Sequence, residues 1–209
     1  MEFTMLQFRP PERFETDTLL LRAPESRDAQ ALFEEMLGDE ETTRYMRMPR
    51  HRTREETLAY IEAVRADWES GSAFRWVMEH KATGLLAGEI QMQATLPRVE
   101  VGFMISRPGP ARRRRASLDA LRRLLHWTIA QPSVLRIFAY CAVDGKAHSG
   151  MERLGFTLEG RLVNHECRPN LGLAAGDSYL YAMTRPVAAP PQADAATDWL
   201  ARSIDWEPA

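Results

Sequence analysis

The stretch VEVGFMISRPGPARRRRASLDALRRLLHW, from Val99 to Trp127, joins a strand pattern to a helix pattern. Its opening VEVGFMI is apolar and β-compatible, which predicts a strand. An apolar stripe at helical spacing follows at Leu118, Leu121, Leu125 and Ile129. Between the two patterns lie four consecutive arginines, Arg112–Arg115. Because a helix N-terminus is the positive end of the peptide dipole, cations at that place indicate either a bound anion or a solvated surface.

Strand and helix patterns alternate on both sides of this stretch. Upstream, TLLLRAP predicts a strand, SRDAQALFEEML and TREETLAYIEAVRADWESG predict two helices, and FRWVMEH and LLAGEIQMQ predict a hairpin. Downstream, VLRIFAYCAV and DSYLYAMT predict strands on either side of a helix around HSGMERLGF. This order predicts an α+β fold with a mixed, mostly antiparallel central sheet flanked by helices.

The 209 residues fit one domain with short additions at both ends. We predict an N-terminal extension over residues 1–15, the α+β domain over 16–186, and a Pro/Ala linker with a short amphipathic tail over 187–209. The tail segment TDWLARSIDWEP is interpreted either as folding back on its own domain or as contacting another molecule.

Composition narrows the function classes. With 44% hydrophobic residues, 27% charged residues and a net charge of -2, the chain has an ordinary globular composition, so a surface built for nucleic acid is not expected. Cys141 and Cys167 provide neither a disulfide framework nor a metal-ligand spacing, and no metal is predicted. The N-terminus lacks an export pattern and no apolar run is long enough for a membrane span. We therefore expect a cytoplasmic protein.

Five phrases in this order carry a resemblance to a known family: TLLLRAPESRDAQALFEEM, VEVGFMI, LDALRRLLHW, MERLGFTLEGRL and GDSYLYAM. From about Thr16 to Pro186 the chain resembles the GNAT N-acetyltransferase superfamily, most nearly its RimJ/RimL type. The resemblance implies a splayed pair of strands and direct acetyl transfer from acetyl-CoA, with no metal. The implied acceptor is a small-molecule or peptide amine, such as a protein N-terminus, and a homodimer is left open.

The arginine run coincides with the phosphate-binding loop of that family. The family pattern Arg/Gln-x-x-Gly-x-Gly/Ala places Arg112 at its first position, Arg115 at the glycine and Ser117 at the last. The resemblance therefore assigns CoA binding to Arg112, Arg113, Arg114, Arg115, Ala116 and Ser117. Arg115 either blocks the pocket or binds phosphate through its guanidinium. Two alternatives are that the helix begins at PARRRRAS with no phosphate loop, and that the run binds RNA, which the lack of interleaved aromatic residues disfavours.

The strand ahead of the loop supplies further candidates. The resemblance implies that Phe103, Met104 and Ile105 bind pantetheine through their backbone, and that Asp144 occupies the place of an asparagine that holds the pantetheine arm. Glu100 corresponds to an acidic residue near the acceptor amine. It could take the ammonium proton, directly or through water, or it could simply pair with an arginine.

The acid that protonates the leaving thiolate is less well marked. Where related enzymes have Tyr or Ser, this sequence has Met151 and Ala147, so Ser149 and Tyr181 are the substitutes, each with a structural role as the alternative. These departures leave a second function class open, a non-catalytic binding or regulatory module with the same fold.

Overall fold

The computed structural model describes residues 8–106 and 111–186. Within them the chain forms an eight-stranded sheet in the order β1-β2-β3-β4-β5-β6-β8-β7. The strands are β1 Arg13–Glu15, β2 Leu19–Arg22, β3 Phe74–His80, β4 Leu86–Thr95, β5 Arg98–Ile105, β6 Arg136–Ala142, β7 Thr157–Arg168 and β8 Leu173–Thr184. The α-helices are α1 Ala29–Leu32, α2 Glu40–Thr43, α3 Arg54–Ser70, α4 Ala111–Ile129 and α5 His148–Met151.

One pair of neighbouring strands departs from the antiparallel pattern. β5 and β6 run parallel and pair only at Arg98 with Arg136, Val99 with Ile137, and Glu100 with Phe138. Both strands continue beyond this point, β5 to Ile105 and β6 to Ala142. The sheet is therefore open between their C-terminal halves, which confirms the predicted α+β fold with a splayed strand pair.

The main core lies between the sheet and helices α3 and α4. Trp68 of α3 makes edge contacts with the rings of Phe74 and Trp76, at centroid distances of 4.9 Å and 5.1 Å. From α4, Leu121 and Leu125 of the predicted stripe are buried in the same cluster. The sequence therefore predicted the correct core face of α4.

The ends of α3 follow the sequence signals. The side chain of Thr53 accepts a hydrogen bond from the backbone N–H of Glu56 at 3.3 Å, and Gly71 ends the helix with a φ of 74°. Only glycine adopts that left-handed conformation without strain. This capping fixes where α3 starts, and α3 forms one wall of the site described below.

The structure corrects the predicted strand count. β1 and β7 were not predicted, β1 because it is only three residues long and β7 because TLEGRLVNHECR lacks a clear apolar alternation and is exposed at most positions. β1 pairs with β2, so the sheet begins ahead of residue 16. The predicted tail over 187–209 lies outside the described residues. No helix in the described part of the chain is both long and apolar enough to span a membrane.

Candidate functional site

Two adjoining cavities occupy the open end of the β5–β6 pair. A cleft of about 600 Å³ lies beside β5, α4 and α5, and a cavity of about 250 Å³ lies over the face of β4 and β5. They share the residues Tyr45, Met46, Phe103, Met104 and Ala142. A molecule that enters along the cleft therefore meets the second space, here called the sheet-face cavity, where the strands diverge.

Five of the predicted site residues line the cleft. Phe103, Met104 and Ile105 come from the unpaired half of β5, and Asp144 and Ser149 come from the loop and helix that follow β6. The Ser149 hydroxyl donates a hydrogen bond to the backbone carbonyl of Lys146 at 3.0 Å, and its side chain is otherwise exposed. The predicted pantetheine residues are thus brought together with one of the two predicted acids.

The arginine run lies on a helix. Residues 112–117 lie within α4, and the residues ahead of Ala111 lie outside the described part, so where this helix starts stays a prediction. The side chains of Arg112, Arg113 and Arg114 lie outside the described part. Arg115 is exposed, whereas Ala116 packs against the core and Ser117 is buried, and none of these three borders the cleft among the described residues.

Glu100 stands at the last position at which β5 pairs with β6, and it lines the sheet-face cavity. Its carboxylate lies 3.1 Å from the guanidinium of Arg47, and 26% of its side chain is exposed. Glu100 therefore faces the cavity and is paired with an arginine, and its role as a proton acceptor stays a prediction.

Tyr181 does not reach either cavity. Tyr181 of β8 pairs with Ala139 of β6, so the two side chains share a face of the sheet. The next residue of β6, Tyr140, projects from the opposite face. Tyr140 lines the sheet-face cavity, whereas Tyr181 is 4% exposed within the main core. This placement corrects the assignment of Tyr181 as a catalytic candidate and favours the structural alternative.

Glu89, which was not among the predicted site residues, is a buried carboxyl in the wall of the sheet-face cavity. Glu89 lies on β4, is 3% exposed, and accepts a hydrogen bond from the hydroxyl of Tyr60 at 2.5 Å. In the part of the chain that the structure describes, its other oxygen, Oε2, has no hydrogen-bond partner. Burial raises the pKa of Glu89 from 4.5 to about 7, and the Tyr60 hydrogen bond and Arg75 partly oppose that rise.

The alternation in GEIQMQ could have revealed Glu89. Glu89 and Gln91 alternate with Ile90 and Met92, which belong to the main core, so the polar residues must point to the other face. The pattern could not show that Tyr60, from a distant helix, covers Glu89.

Tyr140 is a second missed residue. It lies on the unpaired half of β6, lines the sheet-face cavity, and its ring centroid is 4.3 Å from that of His165. Burial raises the pKa of Tyr140, and the charges of Glu100 and Glu166 add to the rise. The phenol therefore keeps its proton at neutral pH and can donate it.

The segment Thr43–Arg50, which forms the roof of the sheet-face cavity, is tied to the turn between β7 and β8. Asn170 of that turn donates hydrogen bonds to the carbonyls of Thr43 at 2.7 Å and Met48 at 3.0 Å. Its side-chain oxygen accepts a hydrogen bond from the backbone N–H of Arg50 at 2.8 Å. One side chain therefore fixes the roof against the far edge of the sheet.

No group of three or more His, Cys, Asp or Glu side chains in the described ranges is arranged to hold a metal ion. Carboxyl groups and a phenol line the sheet-face cavity, and such groups can bind an amine and move protons.

Comparison with known proteins gives consistent matches. The sequence model of the family described as Acetyltransferase (GNAT) domain matches residues 18–157. The uncharacterized N-acetyltransferase YoaA of Bacillus subtilis (strain 168) is 28% identical over 176 residues, which cover 82% of this chain and 96% of the relative.

Solved structures share the fold. RimL, the ribosomal L7/L12 alpha-N-protein acetyltransferase in complex with coenzyme A, aligns with a TM-score of 0.70 and 20% identity over 83% of this chain and 98% of its own. The microcin C7 self-immunity acetyltransferase MccE, in complex with acetyl-CoA and AMP, aligns with a TM-score of 0.69 and 20% identity over 81% and 94%. At these identities the likeness is one of fold.

Proposed function

The chain belongs to the GNAT acetyltransferase family, and on that premise we propose that it moves an acetyl group from acetyl-CoA to a primary amine by direct transfer. The match to the family confirms the resemblance found in the sequence. The observation that carries the proposal is the end of β5–β6 pairing at Glu100 and Phe138, because it leaves backbone groups of β5 free beside the cleft.

In this proposal acetyl-CoA lies in the cleft. Phe103, Met104 and Ile105 bind the pantetheine arm through the unpaired backbone of β5, and Asp144 holds it from the loop after β6. The phosphates lie toward the start of α4, where the first backbone N–H groups and Arg112–Arg115 would receive them. The thioester would then lie at the shared wall of the two cavities, where it would meet the acceptor.

The acceptor amine occupies the sheet-face cavity. Glu100 takes one proton from the ammonium, directly or through water, and the neutral nitrogen attacks the thioester carbonyl carbon. As the C–N bond forms, the nitrogen gives up its second proton, and as the C–S bond breaks, the leaving thiolate takes one. Ser149, which lines the cleft, is the predicted donor to the thiolate and regains its proton from the nitrogen, and Tyr140 lies on the other side of the opening.

The acceptor class is an amine of a protein N-terminus or of a small molecule, and the reaction is expected in the cytoplasm. Protein acetylation is supported by the shared fold of RimL, whose structure is described as that of an alpha-N-protein acetyltransferase. A small acceptor is supported by the size of the sheet-face cavity, about 250 Å³.

Two measurements test the proposal. Acetyl-CoA is expected to raise the melting temperature of the protein, because a ligand that binds only the folded state stabilises it. Free thiol is expected to appear when acetyl-CoA is mixed with a panel of amines and N-terminal peptides. Absence of thiol release with every amine and peptide would reject the proposal.

The second candidate is a binding or regulatory module without turnover. It is favoured by the phosphate-binding segment, in which Arg115 stands in place of glycine and Ser117 is buried. For this candidate acetyl-CoA raises the melting temperature but no amine in the panel releases thiol.

A further inference from the structure

The charged side chains of the sheet-face cavity are paired, with one exception. Arg47 pairs with Glu100 at 3.1 Å, and Arg168 pairs with Glu166 at 3.0 Å. Arg75, the cation that faces Glu89, is bonded to Asp67 through Nη1, and its guanidinium lies 5.6 Å from the centre of the Tyr60 ring. Among the described residues lining the cavity, Glu89 is thus the carboxyl without an ion-pair partner.

A buried carboxylate without a counter-charge is unfavourable, and proteins normally pair such groups or bind a cation to them. The Tyr60 hydroxyl is neutral and occupies only Oε1 of Glu89. Oε2 is buried in the wall of a cavity that a ligand can enter, and no described residue is its hydrogen-bond partner. These features describe half of an ion pair whose other half comes from the ligand.

Glu89 and Glu100 stand at opposite ends of the cavity floor. In the register of β4 and β5, Glu89 is opposite Met104 and Gln93 is opposite Glu100, so both carboxyls project from the same face. Strand rise separates the Cα atoms of Glu89 and Gln93 by about 13 Å. Gly102 lies between the two ends, and a Cβ atom built there meets nothing within 4 Å. The floor therefore has a carboxyl at each end, with Gln91 between them on β4 and open space above Gly102 on β5.

We propose that the acceptor is a linear amine with a second ammonium group, and that Glu89 binds one ammonium while the other reacts beside Glu100. The inference rests on the proposed acetyl transfer and narrows its substrate to dicationic amines. The bound ammonium supplies the counter-charge that Glu89 lacks. The reacting end follows the steps given above, with no further oxidant or reductant.

The experiment compares α,ω-diaminoalkanes of increasing chain length with the 1-aminoalkanes of the same length, by thiol release from acetyl-CoA. In the wild type, kcat/KM for a diamine that spans the floor is expected to exceed kcat/KM for the monoamine of the same length by about 10- to 100-fold. This factor corresponds to the free energy of one charge-assisted hydrogen bond. Glu89→Gln keeps the shape and removes the charge, so the ratio of diamine to monoamine is expected to fall close to one.

The matched control is Glu62→Gln, the same chemical change on an exposed carboxyl of α3 that does not line the cavity, and it is expected to keep the wild-type ratio. Stabilisation of Glu89→Gln by acetyl-CoA shows that the variant is folded. Equal kcat/KM for the paired amines in the wild type, or an unchanged ratio in Glu89→Gln, overturns the inference while the acetyl transfer stands. Absence of thiol release with every amine overturns both.

Discussion

Replacing Glu89 by Gln should make the stability of the protein less dependent on pH. The wild-type carboxyl is 3% exposed, and burial raises its pKa from 4.5 to about 7. Gln has nearly the same shape and can still accept the hydrogen bond from Tyr60, but it does not ionise. The wild type and Glu89→Gln therefore differ in one titrating group, the carboxyl of residue 89.

The direction of the pH effect on stability follows from which state, folded or unfolded, holds the Glu89 proton. Below about pH 4.5 the carboxyl is protonated in both the folded and the unfolded chain, so it adds no pH dependence. Between about pH 4.5 and 7 the folded chain keeps a proton that the unfolded chain loses, and the free energy of unfolding falls as the pH rises. At about 1.4 kcal/mol per pH unit the full loss is roughly 3 kcal/mol.

The assay is urea unfolding at a series of pH values from about 4.5 to 8, followed by the fluorescence of the core tryptophans. The free energy of unfolding of the wild type is expected to fall by roughly 3 kcal/mol relative to Glu89→Gln across this range. The control Glu62→Gln alters an exposed carboxyl and should run parallel to the wild type. A difference between the wild type and Glu89→Gln that stays constant with pH would refute the reasoning.

Three further changes test other parts of the site. Glu100→Gln is expected to lower turnover more than it weakens acetyl-CoA binding, and turnover that keeps the wild-type value at every pH would remove Glu100 from the mechanism. Asn170→Ala loses three hydrogen bonds to the cavity roof and is expected to raise KM for the acceptor but not KM for acetyl-CoA. Its free energy of unfolding, measured in urea, is expected to fall by about 1–3 kcal/mol. Arg115→Ala is expected to weaken CoA by about 1 kcal/mol or less, because the side chain is exposed, and to leave pantetheine unchanged in calorimetric titration. Equal losses for the two ligands would contradict a phosphate contact at Arg115.

The fold could be predicted where local signals agree with the tertiary structure. VEVGFMI and the Leu stripe of α4 predicted a strand and a helix, and both are present at those positions. Thr53 and Gly71 marked the ends of α3 because capping depends on neighbouring residues alone. β7 was missed because its residues are mostly exposed, and it is held by pairing with β8, which its own pattern does not record.

The site was predictable along β5 and much less so elsewhere. Phe103 and Glu100 could be placed because the strand that carries them is recognisable by itself. Glu89 gains its properties from Tyr60 on α3, and Asn170 acts on a segment more than a hundred residues earlier in the chain. Both roles arise from contacts between elements that no local pattern joins, so the sequence alone identified neither residue.

The arginine run shows how a helix start can conflict with its own charge. Arg112–Arg115 lie in α4 and follow Pro110, a residue suited to the first turn of a helix, so the sequence predicts that they add positive charge where the dipole is also positive. Each such charge costs about 0.3–1 kcal/mol at low salt. A polyanion at this end would interact favourably with the dipole, the free N–H groups and the guanidinium groups together. The diphosphate of CoA carries that charge, and the cleft that would hold its pantetheine arm is bordered by Leu118 of the same helix. A cofactor bound there would therefore turn an unfavourable helix terminus into a favourable one, so part of the binding energy of CoA would come from relief of this repulsion.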